Sequence, residues 1–261
     1  MGQKTTELSF GSSQEAWEGI NEYLVINAEN IPQNNGVRYG SLIILYNVFI
    51  GIRKAWVDPE FDFGRIFSYR IQKWNKLLTN YVNLNQLDLV KAEVEMKERK
   101  GTGNYNITFV FDNNHLSGHG CLLHLTFIRR PNCPDRILQF SLRSSEVTKR
   151  LLLDFLLIQR IGEYVYGDAD MSIEFFCPNM YITAENFVMY NNIKPIRKLL
   201  KGLEKTPFQT KVMEAIKKFQ NVDIESISYR VFRRAARCLQ LDDKGKPVGY
   251  KPLIAKNLKL H

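Results

Sequence analysis

The chain has 261 residues, 44% of them hydrophobic and 12% aromatic, enough to bury one large core as a single globular domain with a tail. Its formal charge of +9 is uneven: residues 194–261 carry 17 Lys and Arg against 6 Asp and Glu, a net of +11, which leaves 19 against 21 before them, a net of −2. No apolar run approaches the roughly 20 residues that cross a bilayer, and no secretory leader is expected. Cys121, Cys133, Cys177 and Cys238 show no CxxC spacing, so they are expected to be free thiols in a reducing cytoplasm.

Taken in chain order, Ala16, Trp17, Ile20, Tyr23 and Leu24 recur at helical spacing and predict a helix over Gln14 to Ile26, capped by Ser12 or Ser13. A polar break from Asn30 to Gly40 precedes Leu42 to Ile52, whose Ile, Val, Tyr and Phe content predicts a buried strand. Helices are predicted over Ile66 to Val82 and Leu87 to Arg99. Ile107 to Phe111, Cys121 to Ile128 and Arg136 to Leu142 read as three strands. Ser144 or Ser145 then opens a helix through Ile161, followed by a strand over Met171 to Phe176 and a helix over Thr183 to Tyr190. Two more helical stripes follow, one on Phe208, Val212, Ala215, Ile216 and Phe219, the other on Ile224, Ile227, Val231, Ala235 and Leu239. The pattern is α+β, with clustered strands and helices packed on the sheet.

Gly118 to Arg160 sets one cysteine, one arginine and one acid in apolar surroundings. A thiol needs a nearby cation to become a thiolate, and a buried acid needs a polar partner to stay ionised. Two readings stand at each position. Cys121 is a nucleophile or a small core residue at a strand start; Arg143 binds a phosphate or carboxylate, or pairs with Glu146; Asp154 works in a site or sits at a helix edge against solvent.

The middle of the chain resembles the thymidylate synthase superfamily, including its deoxycytidylate and cytidylate hydroxymethylases. That family sets its nucleophile in Pro-Cys-His with a Phe six residues later; Gly120-Cys121-Leu122 is followed by Phe127. For the family's Gln-x-x-Arg-Ser-x-Asp, this chain has Gln139-Phe140-Ser141-Leu142-Arg143-Ser144-Ser145-Glu146. Asp154 stands eleven residues beyond Arg143, where the synthases have Asn and the cytosine-specific hydroxymethylases have Asp. Phe175 to Asn186 is similar to the family's strand and following His-x-Tyr-x-x-His. The resemblance covers roughly residues 105–200, and residues 10–90 only in the order of elements.

It implies a thymidylate synthase-like mixed sheet packed with helices over residues 1–203 and a basic helical C-terminal extension over 204–261. The implied activity is hydroxymethyl or methyl transfer to carbon 5 of a pyrimidine nucleotide, a cytosine nucleotide being favoured, with methylenetetrahydrofolate as donor. Cys121 would add to carbon 6, because carbon 5 becomes nucleophilic only after such an addition. Asp154 would accept from the cytosine amino group, and Arg143 would hold the phosphate and favour the thiolate. Ser144, Glu146, Tyr181 and Thr183 would complete the substrate contacts. The family also implies a homodimer with sheets back to back.

The pattern departs from the family in four places. Lys76 stands where a catalytic Glu is expected; Thr102 to Asn106 holds no arginine pair; Tyr181 and Thr183 replace His and Tyr; Arg150 replaces a glycine beside the folate. These departures keep open a catalytically degenerate nucleotide-binding or partner subunit. The stripe Arg230, Arg233, Arg234 and Arg237 is a solvated helix face, or a surface for nucleic acid or an acidic protein. His115, His119, Cys121 and His124 invite a zinc reading, but Cys121 and His124 would face opposite sides of one strand, so no metal is expected.

Overall fold

A computed structural model describes residues 5–27, 33–34, 42–56, 82–101, 104–111, 121–131, 133, 135–167, 170–190, 200–201 and 206–221. β1 (Thr6–Ser12) runs straight into α1 (Ser13–Ile26). Ser12 is the cap: its hydroxyl accepts from the Glu15 amide at 3.2 Å while the Glu15 carboxylate accepts from the Gly11 amide at 2.9 Å. Two donors that the first helical turn leaves over are thereby satisfied. β1 has no counterpart among the predicted elements. Its seven residues alternate in burial, but so short a run of Thr, Glu, Leu and Ser is a weak signal without its neighbour β3.

β2 (Gln33–Asn34), β3 (Leu42–Lys54), α2 (Leu84–Arg99), β4 (Tyr105–Val110), β5 (Leu122–Arg129) and β6 (Arg136–Leu142) follow, all but β2 close to the predicted spans. The helix expected from Ser144 or Ser145 does not start there. Ser145 and Glu146 form a short strand, β7, paired with Met180 and Tyr181; a π turn spans Val147–Leu151; α3 begins at Leu152 and runs to Tyr166. Gly167 ends α3 with φ 81°, a left-handed cap that glycine takes without strain. β8 (Ser172–Thr183) is about twice the predicted length, and α4 (Ala184–Tyr190) and α5 (Pro207–Asn221) complete the described elements. The helices expected at Ile66 to Val82, apart from Val82 itself, and at Ile224 to Leu239 lie outside the described residues.

The strands form one mixed eight-stranded sheet in the order β1-β3-β8-β6-β5-β4, with β2 on β3 and β7 on β8. β1–β3, β6–β8 and β7–β8 are parallel and the other pairs antiparallel. The architecture is α+β. On one face of the sheet α3 crosses β6 and β8, where Phe140 and Phe175 stack at 4.9 Å and Phe155 meets both edge-on. The approach is close at Gly162, where a Cβ would run into the Met171 sulfur and lie 2.6 Å from Leu138 Cδ1. α1 buries Trp17, Ile20 and Leu24 in the same core.

α5 follows the expected boundary after residue 203 and sends Phe208, Val212 and Ile216 into that core. A reciprocal pair starts it: Gln209 N donates to Thr206 Oγ1, and Thr206 N to Gln209 Oε1. The Gln209 amide also donates to the Val25 carbonyl at 3.0 Å. On the opposite sheet face Phe49 stays 48% exposed against Phe176, ring centroids 4.5 Å apart. No helix among the described residues is long and apolar enough to cross a membrane.

Candidate active site

Four strands break their regular pairing at one height of the sheet. β8 pairs with β6 as far as Ser141–Phe176 and resumes with β7 at Ser145–Met180, so Leu142 to Ser144 leave the ladder opposite Cys177 to Asn179. Pro178, which has no amide donor, sits in that interval. On its other side β3 places Asn47, at φ 52°, between the pairs Tyr46–Asn179 and Val48–Cys177. β5 shifts register between Leu122 and His124. Such irregularities re-aim side chains and are over-represented beside active sites.

Cys121 enters here, tied to the end of β6 by the Arg143 amide donating to its carbonyl at 2.7 Å. It is half-buried. Burial pushes its thiol above the ordinary range and the Asp154 carboxylate adds to this; a Ser144 side-chain hydrogen bond and the charges of Arg143 and Arg150 oppose both without prevailing. Asp154, on the first turn of α3, keeps some residue surface, but its carboxyl group is enclosed by protein. Burial raises it to about 7, with Arg150 pulling the other way. Cys177, at the back of the cluster, donates to the Asn179 carbonyl at 3.3 Å and is pushed up to about 12, first by burial and then by Asp154 and Cys121.

The strand ends and the π turn thus bring Arg143, Ser144, Arg150, Asp154 and Cys177 within electrostatic reach of Cys121. Chemically this is a resting thiol beside a carboxyl that exchanges its proton near neutrality, with two exposed arginines to meet an anion. Glu146 is buried on β7 with Tyr181 as its register partner, and Tyr181 also faces Ile44. Thr183 caps α4, its hydroxyl accepting from the Asn186 amide at 3.2 Å.

Cys177 had no assigned place in the cluster from sequence, and Arg150 was expected beside the folate rather than beside Cys121. Cys177 carries no local signal, because only the crossing of β8 behind Cys121 brings it near. Arg150 was legible as a cation in the arginine-to-acid interval, but its reach depends on the π turn. His115 and His119 lie outside the described residues; among those described, no three His, Cys, Asp or Glu side chains converge to hold a metal.

No protein-family profile matches the chain, and no curated protein matches it. A solved structure does. The thymidylate synthase of T4 phage aligns over 77% of this chain and 91% of its own, with 13% identity and a TM-score of 0.41. At that distance the likeness assigns no activity, and the chemistry rests on the side chains themselves.

Proposed function

We propose that the protein is a pyrimidine nucleotide C5 hydroxymethyl- or methyltransferase, with a cytosine nucleotide favoured, acting through Cys121. The observation that carries this reading is the convergence of Cys121, Asp154, Arg143 and Arg150 where the strands lose their regular pairing. A lone core cysteine needs no enclosed acid and no cations around it.

In this reading the nucleotide phosphate meets Arg143, whose planar fork suits phosphate oxygens. Asp154 reads the base. In its protonated form the carboxyl donates to cytosine N3 while its other oxygen accepts from the exocyclic amino group; near pH 7 both forms are populated. Uracil presents a carbonyl where cytosine has its amino group, and against the ionised carboxylate, which only accepts, that mismatch costs about 1–3 kcal/mol. The Cys121 sulfur adds to carbon 6, the electron pair of the 5,6 double bond moves to carbon 5, and carbon 5 becomes the nucleophile. Ser144, Glu146, Tyr181 and Thr183 belong to the substrate contacts of this reading.

Methylenetetrahydrofolate, the donor implied by the resemblance, would supply a one-carbon unit at the formaldehyde level. No described side chain is assigned to hold it, and the steps above belong to the chain's own groups. A second copy of the chain would cover the sheet face carrying Phe49 and Phe176. The surroundings are cytoplasmic.

Two observations favour a second reading, a nucleotide-binding or partner subunit without turnover. Cys121 is held toward the thiol, and Lys76 stands where the resemblance expects a glutamate. In that case the basic stretch after residue 194 is the contact for nucleic acid or an acidic protein. Release of tritium from carbon 5 of CMP, dCMP, UMP and dUMP, with and without methylenetetrahydrofolate, separates the two. Release from a cytosine nucleotide that is lost in Cys121→Ala supports the transferase; silence with saturable nucleotide binding supports the subunit.

A further inference from the structure

A buried polar network, 127–131 residues across in sequence, joins α1 to the π turn that precedes Asp154. The Trp17 indole Nε1–H is shared between the carbonyls of Val147 at 2.9 Å and Thr148 at 3.2 Å. The Thr148 hydroxyl donates to Asn21 Oδ1 at 2.7 Å, and the Asn21 amide donates back to the Trp17 carbonyl at 2.8 Å. Trp17, Asn21 and Thr148 are 4%, 2% and 0% exposed. Apolar side chains would fill that space without any need for matched donors and acceptors, so the network does something packing alone does not.

What it grips is the π turn at Val147–Leu151. A π turn carries an extra residue, which rotates the segment before it by about 100° relative to the following α-helix and is usually found at functional sites. Here the rotated segment carries Arg150, and the helix after it carries Asp154, four residues on. Trp17 holds the first two carbonyls of the turn, and Thr148 fixes its face toward α1. The opposite side of the same turn is left to present Arg150 to the site.

We propose that Trp17, Asn21 and Thr148 are positioning residues that hold the π turn so that Arg150 faces Cys121. The proposal deepens the reading of Cys121 and Asp154 as the working pair and rests on it. Cys121 feels Asp154 from α3, Arg150 from the π turn, Arg143 and Ser144 from the segment after β6, and Cys177 from β8. Of these, the π turn supplies the charge of Arg150, which favours both the thiolate and the carboxylate. Asp154 stays with α3, whose next residue Phe155 packs against Phe140 and Phe175, so loosening the turn withdraws Arg150 alone; Cys121 becomes harder to ionise and its reaction with an electrophile moves to higher pH.

The test is iodoacetamide alkylation of the full chain from pH 6 to 10, each cysteine followed by peptide mass, in wild type, Thr148→Val, Thr148→Ser and Trp17→Phe. Thr148→Val and Trp17→Phe are expected to slow Cys121 near pH 8 and move its profile to higher pH, Thr148→Ser to restore the wild-type rate, and Cys133 to be unchanged throughout. Buried Cys177 reports loss of the fold and stays protected. An unchanged Cys121 profile with Cys177 protected overturns the proposal. So does joint acceleration of Cys121 and Cys177, which marks a merely structural contact. Tritium release is read separately: its absence beside the expected alkylation pattern removes the transferase reading and leaves the clamp in place.

Discussion

Replacing Asp154 with Asn tests the electrostatics of the site without assuming any substrate. The carboxyl sits at about 7 in the folded chain against an ordinary value of 3.8. Between those values the native state holds a proton that the unfolded state has lost, so stability falls as pH rises. The contribution is fully present below pH 3.8, declines across the window, and is gone above pH 7. At about 1.4 kcal/mol for each tenfold change, the difference approaches about 4 kcal/mol. Asn has the shape of the protonated acid and never ionises. Asp154→Asn is therefore expected to match wild type near pH 4 and to exceed it by up to about 4 kcal/mol at pH 8.

Urea unfolding of both proteins from pH 4 to 8.5 measures this, and titrating groups that Asp154 does not act on cancel in the difference between the two curves. A second readout comes from the same variant. Asp154 is one of the two causes that raise Cys121, so Asp154→Asn is expected to lower the thiol and speed its alkylation at pH 8. A stability difference that stays flat over the pH range, within about 0.5 kcal/mol, refutes an enclosed carboxyl at this position.

Under the transferase reading, Cys121→Ala abolishes tritium release from cytosine nucleotides while leaving nucleotide binding measurable by calorimetry, and Asp154→Asn moves release toward the uracil nucleotides. At the far end of the sheet Glu98 accepts from Arg136 at 2.9 and 3.2 Å, from Tyr105 at 2.9 Å and from Arg129 at 3.5 Å. Glu98→Ala strands two half-buried arginines and is expected to destabilise the fold by about 2 kcal/mol in urea unfolding, more than an exposed pair and less than a fully buried one. Gly162→Ala pushes a methyl into Leu138 and Met171, both in the core, and is expected to cost about 1–3 kcal/mol in the same assay. If a second copy covers the sheet face as proposed, Phe49→Glu, which puts a charge on that face, is expected to turn the dimer into a monomer in sedimentation with its circular dichroism unchanged.

The helices were legible where one face is apolar and the start is capped locally. α1 announces itself through Trp17, Ile20 and Leu24 after Ser12, and α5 through Phe208, Val212 and Ile216. β4 and β6 were read as strands close to their observed spans. The segment after Arg143 was misread for a physical reason. Ser-Ser-Glu before an apolar run is a good local start for a helix, but the main chain of Ser145 and Glu146 pairs with Met180 and Tyr181, about 35 residues further on. β8 runs through Pro178, and the strand survives there because the chain departs from regular pairing on both sides of the proline. Cys121, Arg143 and Asp154 stood out through their resemblance to a known pattern. The network that orients them did not, since Trp17 and Thr148 read as an ordinary core residue and an ordinary helix residue until the fold brings them together.

The same cluster bears on the order of events in the proposed reaction. At rest Cys121 is a thiol, because burial and Asp154 outweigh Ser144, Arg143 and Arg150. A phosphate on Arg143 would spend part of that arginine's field on the substrate and leave Arg150 as the principal cation opposing Asp154. Protonation of Asp154, which its value of about 7 makes inexpensive, removes the second obstacle to the thiolate and supplies the proton donor that cytosine N3 accepts. The proton leaving sulfur and the proton arriving at the base are then linked through one carboxyl, and the geometry of the π turn decides how well that carboxyl and Arg150 act on the same sulfur. Activity in this chain would depend on where residue 150 points as much as on the presence of the cysteine.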